Sequence, residues 1–315
     1  MKYLVSGDFH IKRERLKECK DILDQILKLS KGCKGLIILG DVFDTDNPKP
    51  DEIDFFIKFL KQIPLTVAVY IIGGNHGRLK SDINATMWSP KIHPNIIYGM
   101  DRLLVDLEGR NIRMQHINCA ESKFGANNFQ KEGPSFKDFK EDIVLLGHIH
   151  KYQILSEKPR LVLHPGAPYY IHFGEHSDKK GIIFLDIDKE ITYKFIPLKV
   201  IPMHQIIVKD DELGEIYNIL EKVPALSKLK IIFEVSNTTI DTSNNINRIV
   251  EECRKKYHIF KWTIKVQSSV AQIKESISQK NTAELLKDFC KEKKIGSEIR
   301  KLLQGLLEVE KETKI

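Results

Sequence analysis

The sequence predicts an α/β fold: a sandwich of two sheets flanked by helices, followed by a small α/β domain and C-terminal helices. Up to about residue 150, short apolar runs alternate with amphipathic stretches of helical period, which is typical of α/β proteins. Between about residues 96 and 197 the apolar runs shorten and are separated by turns, which indicates a second, mixed or antiparallel sheet packed on the first. From about residue 199 to residue 268 the alternation of strands and helices returns.

Three strands and two helices are predicted in the first half of the chain. The strands are KYLVS, GLIILGD and LTVAVYIIGG, and the third is apolar almost throughout, as expected for a strand covered on both faces. Residues 14–29 have apolar side chains at a period of 3.6 residues, which predicts the first helix. The Pro-rich stretch DTDNPKP predicts a loop, and a second helix is predicted from about Asp51 to Gln62.

The second sheet is predicted from the runs NIRMQHI, DIVLLG, RLVLH, GIIFLDI and ITYKFIPL. In the small domain, three strands alternate with helices near residues 211–222 and 243–257. After that the β character is lost and two helical patterns follow. We therefore predict a first domain over residues 1–198, a small α/β domain over residues 199–268 and C-terminal helices over residues 269–315.

The last helical pattern carries an apolar stripe. Its members recur at the spacing of one helix face: Ile299, Leu302, Leu303, Leu306 and Leu307. Such a stripe either docks on its own domain or lies in a groove on a partner protein, and the sequence leaves both open.

Composition and charge narrow the class of protein. The 315 residues are 42% hydrophobic and 30% charged, which is ordinary for a soluble protein. The net charge of +7 permits a polyanionic partner such as nucleic acid without requiring one. The five cysteines form no CxxC pair and indicate neither a disulfide framework nor a zinc ribbon, so a reducing cytoplasm fits best. Apolar runs of about 18 residues are absent, so the sequence predicts neither export nor a membrane span.

Polar residues stand at the ends of five predicted strands. They are two aspartates, one asparagine and five histidines: Asp8, His10, Asp41, Asn75, His76, His116, His148 and His150. The carboxyl ends of strands in an open α/β sheet form the edge where ligands bind. The H-x-H pair taken alone favours a structural role, but five strand ends with one restricted set of residue types favour a metal site. Residues i and i+2 of an extended segment point the same way, so Asp8 with His10, and His148 with His150, are each expected to deliver two side chains to one side.

Seven of these eight residues could bind metal, which leaves one histidine over. Oxygen and imidazole ligands suit manganese, iron or zinc. Seven ligands are too many for one ion with an open position, but they fit two ions about 3.5–4 Å apart that share a bridging aspartate. Asp41 is the natural bridge.

The order of these fragments is that of a known family. The motifs D-x-H, G-D, G-N-H, H and G-H-x-H follow one another over residues 8–150, and this set resembles the calcineurin-like metallophosphoesterases. The stretches YLVSGDFHIK, GDVFDT and HPGAPYYIHFGEHSDKKGIIFLDI are further similar to the SbcD-type nucleases, the partners of SbcC-type coiled-coil ATPases in DNA-end processing. The most particular part is a P-G-[SA]…F-G-E…K-G run, which here consists of Pro165, Gly166, Ala167, Phe173, Gly174, Glu175, Lys180 and Gly181.

The resemblance implies a role for each of the eight residues. One ion would be held by Asp8, His10, Asp41 and His150, and the other by Asp41, Asn75, His116 and His148. His76 would assist the leaving group as a general acid. Two positions depart from the family pattern, since Gly77 stands where an aspartate is usual and Asp44 stands where some relatives have a histidine linked to exonuclease activity.

The resemblance also implies a function: a manganese-dependent, two-metal DNA nuclease, with Mg²⁺, Fe²⁺ or Zn²⁺ as alternative ions. Such an enzyme is a double-strand exonuclease and a single-strand or hairpin endonuclease in repair and recombination. Residues 199–268 resemble the capping, DNA-binding domain and residues 269–315 the ATPase-binding segment, within a heterotetramer built on a homodimer. The expected location is the cytoplasm of a bacterium or of a phage-infected host. Two alternatives stay open: a phosphodiesterase of the same fold for small molecules or cyclic nucleotides, and a non-catalytic subunit that tethers DNA ends.

Other residues near these motifs have two interpretations each. Tyr169 and Tyr170 could stack on a base or pack in the interior, and packing is favoured. His164, His172 and His176 lie in or near the P-G…F-G-E run and either face substrate or have ordinary structural roles. The basic face of the first helix could contact phosphates or simply be solvated; it comprises Lys12, Arg13, Arg15, Lys17 and Lys20.

Overall fold

The computed structural model describes residues 1–78, 84–124, 128–129, 133–236, 240–257 and 259–266. Its helices are α1 (Leu16–Ser30), α2 (Pro50–Gln62), α3 (Ile216–Glu221) and α4 (Ile240–Lys256). Its strands are β1 (Lys2–Ser6), β2 (Gly35–Leu39), β3 (Ala68–Ile72), β4 (Ile96–Gly99), β5 (Arg102–Leu107), β6 (Arg110–His116), β7 (Lys123–Phe124), β8 (Asn128–Phe129), β9 (Ile143–Gly147), β10 (Gln153–Ser156), β11 (Leu161–His164), β12 (Gly181–Ile187), β13 (Ile191–Pro197), β14 (Met203–Lys209), β15 (Lys228–Val235) and β16 (Ile259–Val266). The chain divides into two compact units, the first of which comprises Met1–Gln205, Val223–Lys230 and Tyr257–Phe260.

The larger sheet has six strands in the order β13-β12-β1-β2-β3-β4. Strands β1 to β4 are parallel, and β12 and β13 join them by antiparallel pairing. Strands β1 to β3 are buried over most of their length, which agrees with their apolar sequences. Because parallel strands end at the same edge, the residues that follow Ser6, Leu39 and Ile72 meet at one rim.

The second sheet has five strands in the order β10-β11-β9-β6-β5. Its central strands β11, β9 and β6 are parallel, whereas β10 and β5 pair antiparallel at its edges. The predicted mixed sheet is therefore confirmed. Two of the runs assigned to it, GIIFLDI and ITYKFIPL, instead form β12 and β13 of the first sheet, because β12 pairs with β1, a partner far away in the sequence.

Apolar side chains fill the space between the two sheets and cover the outer face of the larger one. Successive residues of β1 take opposite sides: Val5 belongs to a buried cluster with Met114 of the second sheet, whereas Leu4 packs with Ile22 of α1 and Phe56 of α2. Burying one such side chain contributes about 1.5–3 kcal/mol, so these two layers supply much of the stability of the first unit. The predicted α/β sandwich flanked by helices is confirmed.

Helices α1 and α2 lie within two residues of their predicted limits. In α1, the buried positions Cys19, Ile22 and Ile26 recur on one face of the helix. Helix α2 begins at Pro50, which needs no hydrogen-bond acceptor at that position, and the Glu52 carboxylate accepts a hydrogen bond from the main-chain N–H that precedes the helix, at 2.6 Å. These signals are local in the sequence, which explains why the helices were predictable.

The second unit consists, in its described part, of residues 206–222, 231–236, 240–256 and 261–266. A three-stranded sheet has the order β14-β15-β16. A 3-10 segment, Asp210–Glu215, takes the place of the first half of the predicted helix 211–222, and Gly214 within it disfavours the α-helix. The predicted boundary between residues 198 and 199 stays a prediction, and the predicted C-terminal helices over residues 269–315 lie outside the described residues. Within the described ranges, every helix is too short or too polar to cross a bilayer.

Candidate metal centre

The eight residues predicted at strand ends come together at the rim of the two sheets. Their positions in the fold are as follows: Asp8 and His10 follow β1, Asp41 follows β2, Asn75 and His76 follow β3, His116 ends β6, and His148 and His150 follow β9. Asp8, His10 and Asp41 are buried, whereas Asn75 and His76 are exposed, so the group is open to solvent on one side. All eight except His76 are called the candidate ligands below.

Asp8, His10 and His150 form a first cluster, in which the ligand atoms lie within 4.8 Å of one another. The Nε2 atoms of His10 and His150 are 3.0 Å apart. Asp8 Oδ1 accepts a hydrogen bond from the main-chain N–H of His148 at 3.0 Å, but Asp8 Oδ2 is buried and has no hydrogen-bond partner among the described residues. A buried carboxylate oxygen without a donor is costly unless a cation binds it.

Asp41, His116 and His148 form a second cluster by the same distance criterion. Asp41 Oδ2 is 3.1 Å from His116 Nε2 and 3.8 Å from His10 Nε2, so this carboxylate lies between the two clusters. Asn75 Oδ1 is 2.9 Å from His116 Nε2 and 2.8 Å from His148 Nδ1. The amide of Asn75 therefore belongs with the second cluster.

The donor atoms fit two divalent cations that share Asp41. Each cluster combines imidazole nitrogens with carboxylate or amide oxygens, a set that suits Mn²⁺, Fe²⁺ or Zn²⁺. In the first cluster, Asp8 Oδ2 has no hydrogen-bond partner among the described residues, and the Nε2 atoms of His10 and His150 face each other. This arrangement is expected where several ligand atoms converge on the position of an ion. The structure brings the seven candidate ligands together in the grouping that the resemblance implies, and their assignment as ligands stays a prediction.

Four of the eight residues have a left-handed backbone. The φ angles are 52° at Asp8, 44° at His10, 41° at Asp41 and 82° at His148, four of the six positive values at non-glycine residues in the described ranges. Each costs on the order of 1–3 kcal/mol, and such strain concentrates at functional sites. The expected extended backbone is therefore not observed at these positions, because the chain turns sharply at the strand ends. Asp8 and His10 nevertheless share a cluster as expected, whereas His148 and His150 belong to different clusters.

Two glycines let these turns approach one another closely. A Cβ atom at Gly74 would overlap the backbone and carboxylate of Asp41. A Cβ atom at Gly147 would overlap the carbonyl oxygen of Leu39 and crowd the His116 ring. Glycine is needed here because candidate ligands and main chain occupy the space that a side chain would take.

The side chains of His10 and His116 are also held from behind. His116 Nδ1 donates a hydrogen bond to the carbonyl oxygen of Leu39 at 2.7 Å. His10 Nδ1 is 3.2 Å from a carboxylate oxygen of Asp44, whose other oxygen is 3.1 Å from Lys12 Nζ. The hydrogen bond to Leu39 selects the His116 tautomer that leaves Nε2 free to bind a metal.

Asp41 and His116 shift each other's pKa. Burial raises the pKa of Asp41, but the hydrogen bond and charge of His116 outweigh it and lower the pKa to about 2. Burial lowers the pKa of His116, but its bond with Asp41 and the charge of Asp8 outweigh that and raise the pKa to about 9. A cation that binds here must displace a proton from the imidazole, so metal binding is expected to release protons at neutral pH.

His76 lies beside the first cluster. Its ring meets that of His10 edge-on, with the centroids 4.7 Å apart. Its main-chain N–H donates to Asp41 Oδ1 at 2.9 Å, and its Nδ1 donates to the carbonyl oxygen of Asp44 at 3.1 Å. A ring nitrogen of His76 lies within 4.8 Å of a ring nitrogen of His10 and a carboxylate oxygen of Asp44. Because His76 is thus also close enough to other donors to bind a metal, its role as general acid stays a prediction.

Glu175 and Lys180 have a part in the site that the sequence did not predict. Glu175 Oε1 accepts a hydrogen bond from His150 Nδ1 at 2.8 Å, and Lys180 Nζ donates to the carbonyl oxygen of His150 at 3.0 Å. The sequence marked both only as members of the P-G…F-G-E…K-G run. An acid and a lysine at fixed places after a G-H-x-H pair are the signal that could have suggested this contact.

Several residues near the site have structural roles. Tyr169 is buried and donates a hydrogen bond to the carbonyl oxygen of Phe9 at 2.6 Å, so packing rather than base stacking is confirmed. His164 is fully buried, with Nε2 2.8 Å from Ser122 Oγ, and it does not face substrate. His172 is exposed and stays a candidate for substrate contact.

The basic face of α1 and the turn before it is largely neutralised within the protein. Lys12 and Arg15 both pair with Asp44, at 3.1 Å each, and Arg13 pairs with Asp51 at 2.7 Å. These cations support the carboxylate behind His10, which favours an internal role over phosphate contacts.

Comparison with known proteins gives one family. The family described as calcineurin-like phosphoesterase superfamily domain matches residues 1–190. The uncharacterized metallophosphoesterase YhaO of Bacillus subtilis (strain 168) is 25% identical over 195 residues, which cover 51% of this chain and 47% of the relative. The chain thus spans about half the length of that curated relative.

Solved structures are similar at low identity. Vacuolar protein sorting 29 from Cryptosporidium parvum is 14% identical, covers 62% of this chain and 97% of its own, and superposes with a TM-score of 0.39. A predicted phosphoesterase from Streptococcus pneumoniae TIGR4 is 16% identical, covers 64% of this chain and 92% of its own, and has a TM-score of 0.36.

Proposed function

This chain belongs to the calcineurin-like phosphoesterase superfamily, and we propose that within it the chain is a two-metal nuclease that hydrolyses phosphodiester bonds in DNA. The observation that supports two-metal chemistry is the pair of clusters joined by the Asp41 carboxylate. The resemblance of the P-G…F-G-E…K-G run to SbcD-type nucleases supports DNA as substrate, and its Glu175 bonds a candidate ligand, His150.

The residues of the centre divide the chemical work. The seven candidate ligands would hold two divalent ions, which would supply Lewis-acid stabilisation of negative charge on the phosphoryl oxygens. Asp8 and Asp41 each have one oxygen fixed by a main-chain N–H, so the other oxygen can face a cation. The negative charges of Asp8 and Asp41 would offset those of the bound ions.

His76 supplies a proton to the leaving oxygen in this proposal. Because Nδ1 donates to the carbonyl oxygen of Asp44, the ring is held in one orientation and Nε2 is the nitrogen that exchanges the proton. The side chain is exposed, as a group that meets substrate must be. A positioned histidine of this kind contributes about 10²–10⁴-fold to a rate.

The metal and the partners are part of the proposal. Mn²⁺ is the proposed ion, with Mg²⁺, Fe²⁺ and Zn²⁺ as alternatives, and the mixture of oxygen and imidazole donors suits Mn²⁺, Fe²⁺ or Zn²⁺. The proposed assembly is a homodimer bound to an SbcC-type ATPase in a bacterial or phage-infected cytoplasm. The second α/β unit and the predicted amphipathic stripe support it, because a phosphodiesterase for small molecules needs neither.

A phosphodiesterase for small molecules is the second candidate. The family match ends at residue 190 and so covers the part of the chain that carries phosphoester chemistry of any kind. A non-catalytic tether is less favoured, because all seven candidate ligands are present and converge.

The test is cleavage by the purified chain, with and without an SbcC-type ATPase. Labelled blunt, hairpin and single-stranded DNA and a small chromogenic phosphodiester are incubated with Mn²⁺ or with a chelator. Asp8→Asn should abolish cleavage, and Asp101→Asn, at an exposed aspartate of the first unit, is the matched control. Hydrolysis of the chromogenic diester without any DNA cleavage would refute the nuclease, and inactivity on both would favour the tether.

A further inference from the structure

Glu175 is buried between the ring of a candidate ligand and a buried ammonium group. Its Oε1 accepts from His150 Nδ1 at 2.8 Å, and its Oε2 is 2.7 Å from Lys180 Nζ. The side chain of Lys180 is fully buried, and that of Glu175 is 10% exposed. The main-chain N–H of Ile171 also donates to Glu175 Oε2, at 3.1 Å. Every oxygen of this carboxylate is thus committed to a fixed partner.

The contact with Glu175 decides how the His150 ring can be used. With Nδ1 donating to the carboxylate, the lone pair of the neutral ring is on Nε2, the atom that lies 3.0 Å from His10 Nε2. A carboxylate behind a metal-binding histidine fixes its tautomer and its orientation and makes it a stronger ligand. Lys180 adds a second constraint, because it donates to the carbonyl oxygen of His150 and so holds the main chain as well as the carboxylate.

A buried ion pair is a weak source of stability by itself. Two charges taken out of water gain little net stability, and replacing such a buried pair by apolar residues is often neutral or stabilising. The pair contacts His150, whose ring lies beside Asp8 and His10 in the first cluster. Orientation of His150 is the benefit that would offset the cost of burial.

We propose that Glu175 and Lys180 are a positioning pair that aligns His150 and thereby sets the affinity of the first cluster for its divalent cation. Neither residue touches the reacting atoms. The inference rests on the metal centre of the proposed function and not on its DNA substrate.

A matched control pair exists in the same unit. Glu18 and Lys228 are also buried, with side chains 4% and 2% exposed, and their charged atoms are also 2.7 Å apart. Lys228 Nζ donates to a main-chain carbonyl, that of Tyr170 at 2.9 Å, as Lys180 Nζ does to His150. In the described contacts, neither Glu18 nor Lys228 bonds a candidate ligand. Breaking this pair reports what loss of a buried ion pair does by itself.

The experiment measures Mn²⁺ binding to the metal-free full chain by isothermal titration calorimetry, together with the thermal midpoint Tm. Glu175→Gln should weaken one of two Mn²⁺ sites by about 10–100-fold and lower Tm, since Lys180 loses its counter-charge. The double variant Glu175→Gln/Lys180→Met should regain Tm while the affinity stays low. Glu18→Gln and Glu18→Gln/Lys228→Met should change Tm alone.

Visible spectra of the Co²⁺-loaded chain give a readout that a purely structural role would not move. The absorption bands should shift in Glu175→Gln/Lys180→Met and stay unchanged in Glu18→Gln/Lys228→Met. Recovery of Mn²⁺ affinity together with Tm in the double variant, or unchanged affinity in Glu175→Gln, would overturn the proposal. If Glu175→Gln does not fold, the double variant, which has no uncompensated charge, decides.

The binding and spectral measurements contain no DNA. Failure of the nuclease proposal would therefore show separately, in the cleavage assay.

Discussion

His76 differs from the candidate ligands in how it is held. The main chain of His76 donates to Asp41 Oδ1, and its Nδ1 donates to the carbonyl oxygen of Asp44. A buried candidate ligand such as His116 instead has Nε2 directed at the Asp41 carboxylate, 3.1 Å away. The ring of His76 is held by a neutral carbonyl group and is exposed, which suits a group that gains and loses a proton, whereas the ring of His116 is buried among the candidate ligands.

Replacing His76 with alanine should therefore slow hydrolysis while two metals stay bound. We expect kcat to fall by about 10²–10⁴-fold, because the leaving oxygen loses its proton donor. Single-turnover cleavage measures the rate, and calorimetric Mn²⁺ titration measures the stoichiometry. His204→Ala, a half-buried histidine outside the centre, is the control. Loss of one Mn²⁺ site in His76→Ala would instead identify His76 as a ligand.

The buried side chain of His164 is expected to make the free energy of unfolding depend on pH. Burial lowers the pKa of His164 to about 3, whereas an unfolded histidine has a pKa near 6.5. Above about pH 6.5 both states are neutral and no penalty arises. Below it the unfolded chain takes up a proton that the folded chain refuses, so stability falls as pH drops from about 6.5 towards 3.

The expected size is about 1.4 kcal/mol per pH unit at most within that window, from this one group. Urea unfolding at pH 7.5 and pH 5 measures it. The His164→Gln variant keeps a polar partner for Ser122 but cannot titrate, so it should lose less stability than the parent between the two pH values. Equal losses in parent and variant would show that His164 contributes nothing to the pH dependence.

At the scale of elements, the site depends on how closely the strand ends approach. Gly147 ends β9 directly against the end of β2, where the carbonyl oxygen of Leu39 and the His116 ring leave no room for a Cβ atom. Gly174, in a short 3-10 segment, has nothing within 4 Å of its Cβ position. An alanine substitution at Gly147 therefore tests the close approach of the two sheets, and one at Gly174 reports the effect of adding a methyl group where there is room for it.

Gly147→Ala should destabilise the fold by about 1–3 kcal/mol or more, because the two sheets must separate to admit the methyl group. It should also weaken Mn²⁺ binding, since the added methyl group would displace the His116 ring on the neighbouring strand β6. Gly174→Ala should stay within about 0.5 kcal/mol of the parent. Denaturant unfolding and Mn²⁺ titration measure both effects. A Gly147→Ala variant as stable as Gly174→Ala would mean that the sheets do not meet as described.

The same elements show how far the sequence alone could predict the structure. Apolar period and turn residues predicted α1, α2 and the strands β1 to β3, because these signals are local. The polar residues after each strand predicted the rim. The placement of β12 and β13 was wrong, because strand pairing joins distant segments. The left-handed turns at Asp8 and His148, and the contact of Glu175 with His150, depend on neighbours that no local pattern specifies.

At the scale of the whole molecule, the effect of salt on binding distinguishes the two candidate substrates. The chain carries a formal net charge of +7, although several cations near the centre are paired internally. A DNA substrate engages cations along many phosphates and releases condensed counterions on binding, so its affinity falls steeply with salt. A small phosphodiester carries a single charge and releases almost none. Salt dependence therefore distinguishes a surface that binds DNA from a rim that binds one phosphate.

For duplex DNA, we expect KM to rise on the order of tenfold or more between 50 and 200 mM salt, and kcat to change little, because counterion release affects binding and not the displacement at phosphorus. For a chromogenic phosphodiester, KM should change by less than about threefold over the same range, since both substrates use the same ions but only one engages the wider surface. Steady-state kinetics on a single preparation at fixed Mn²⁺ supply the comparison, and Asp101→Asn serves as a folded control with an altered exposed charge. Equal salt dependence for the two substrates would count against a DNA-binding surface and favour the phosphodiesterase for small molecules.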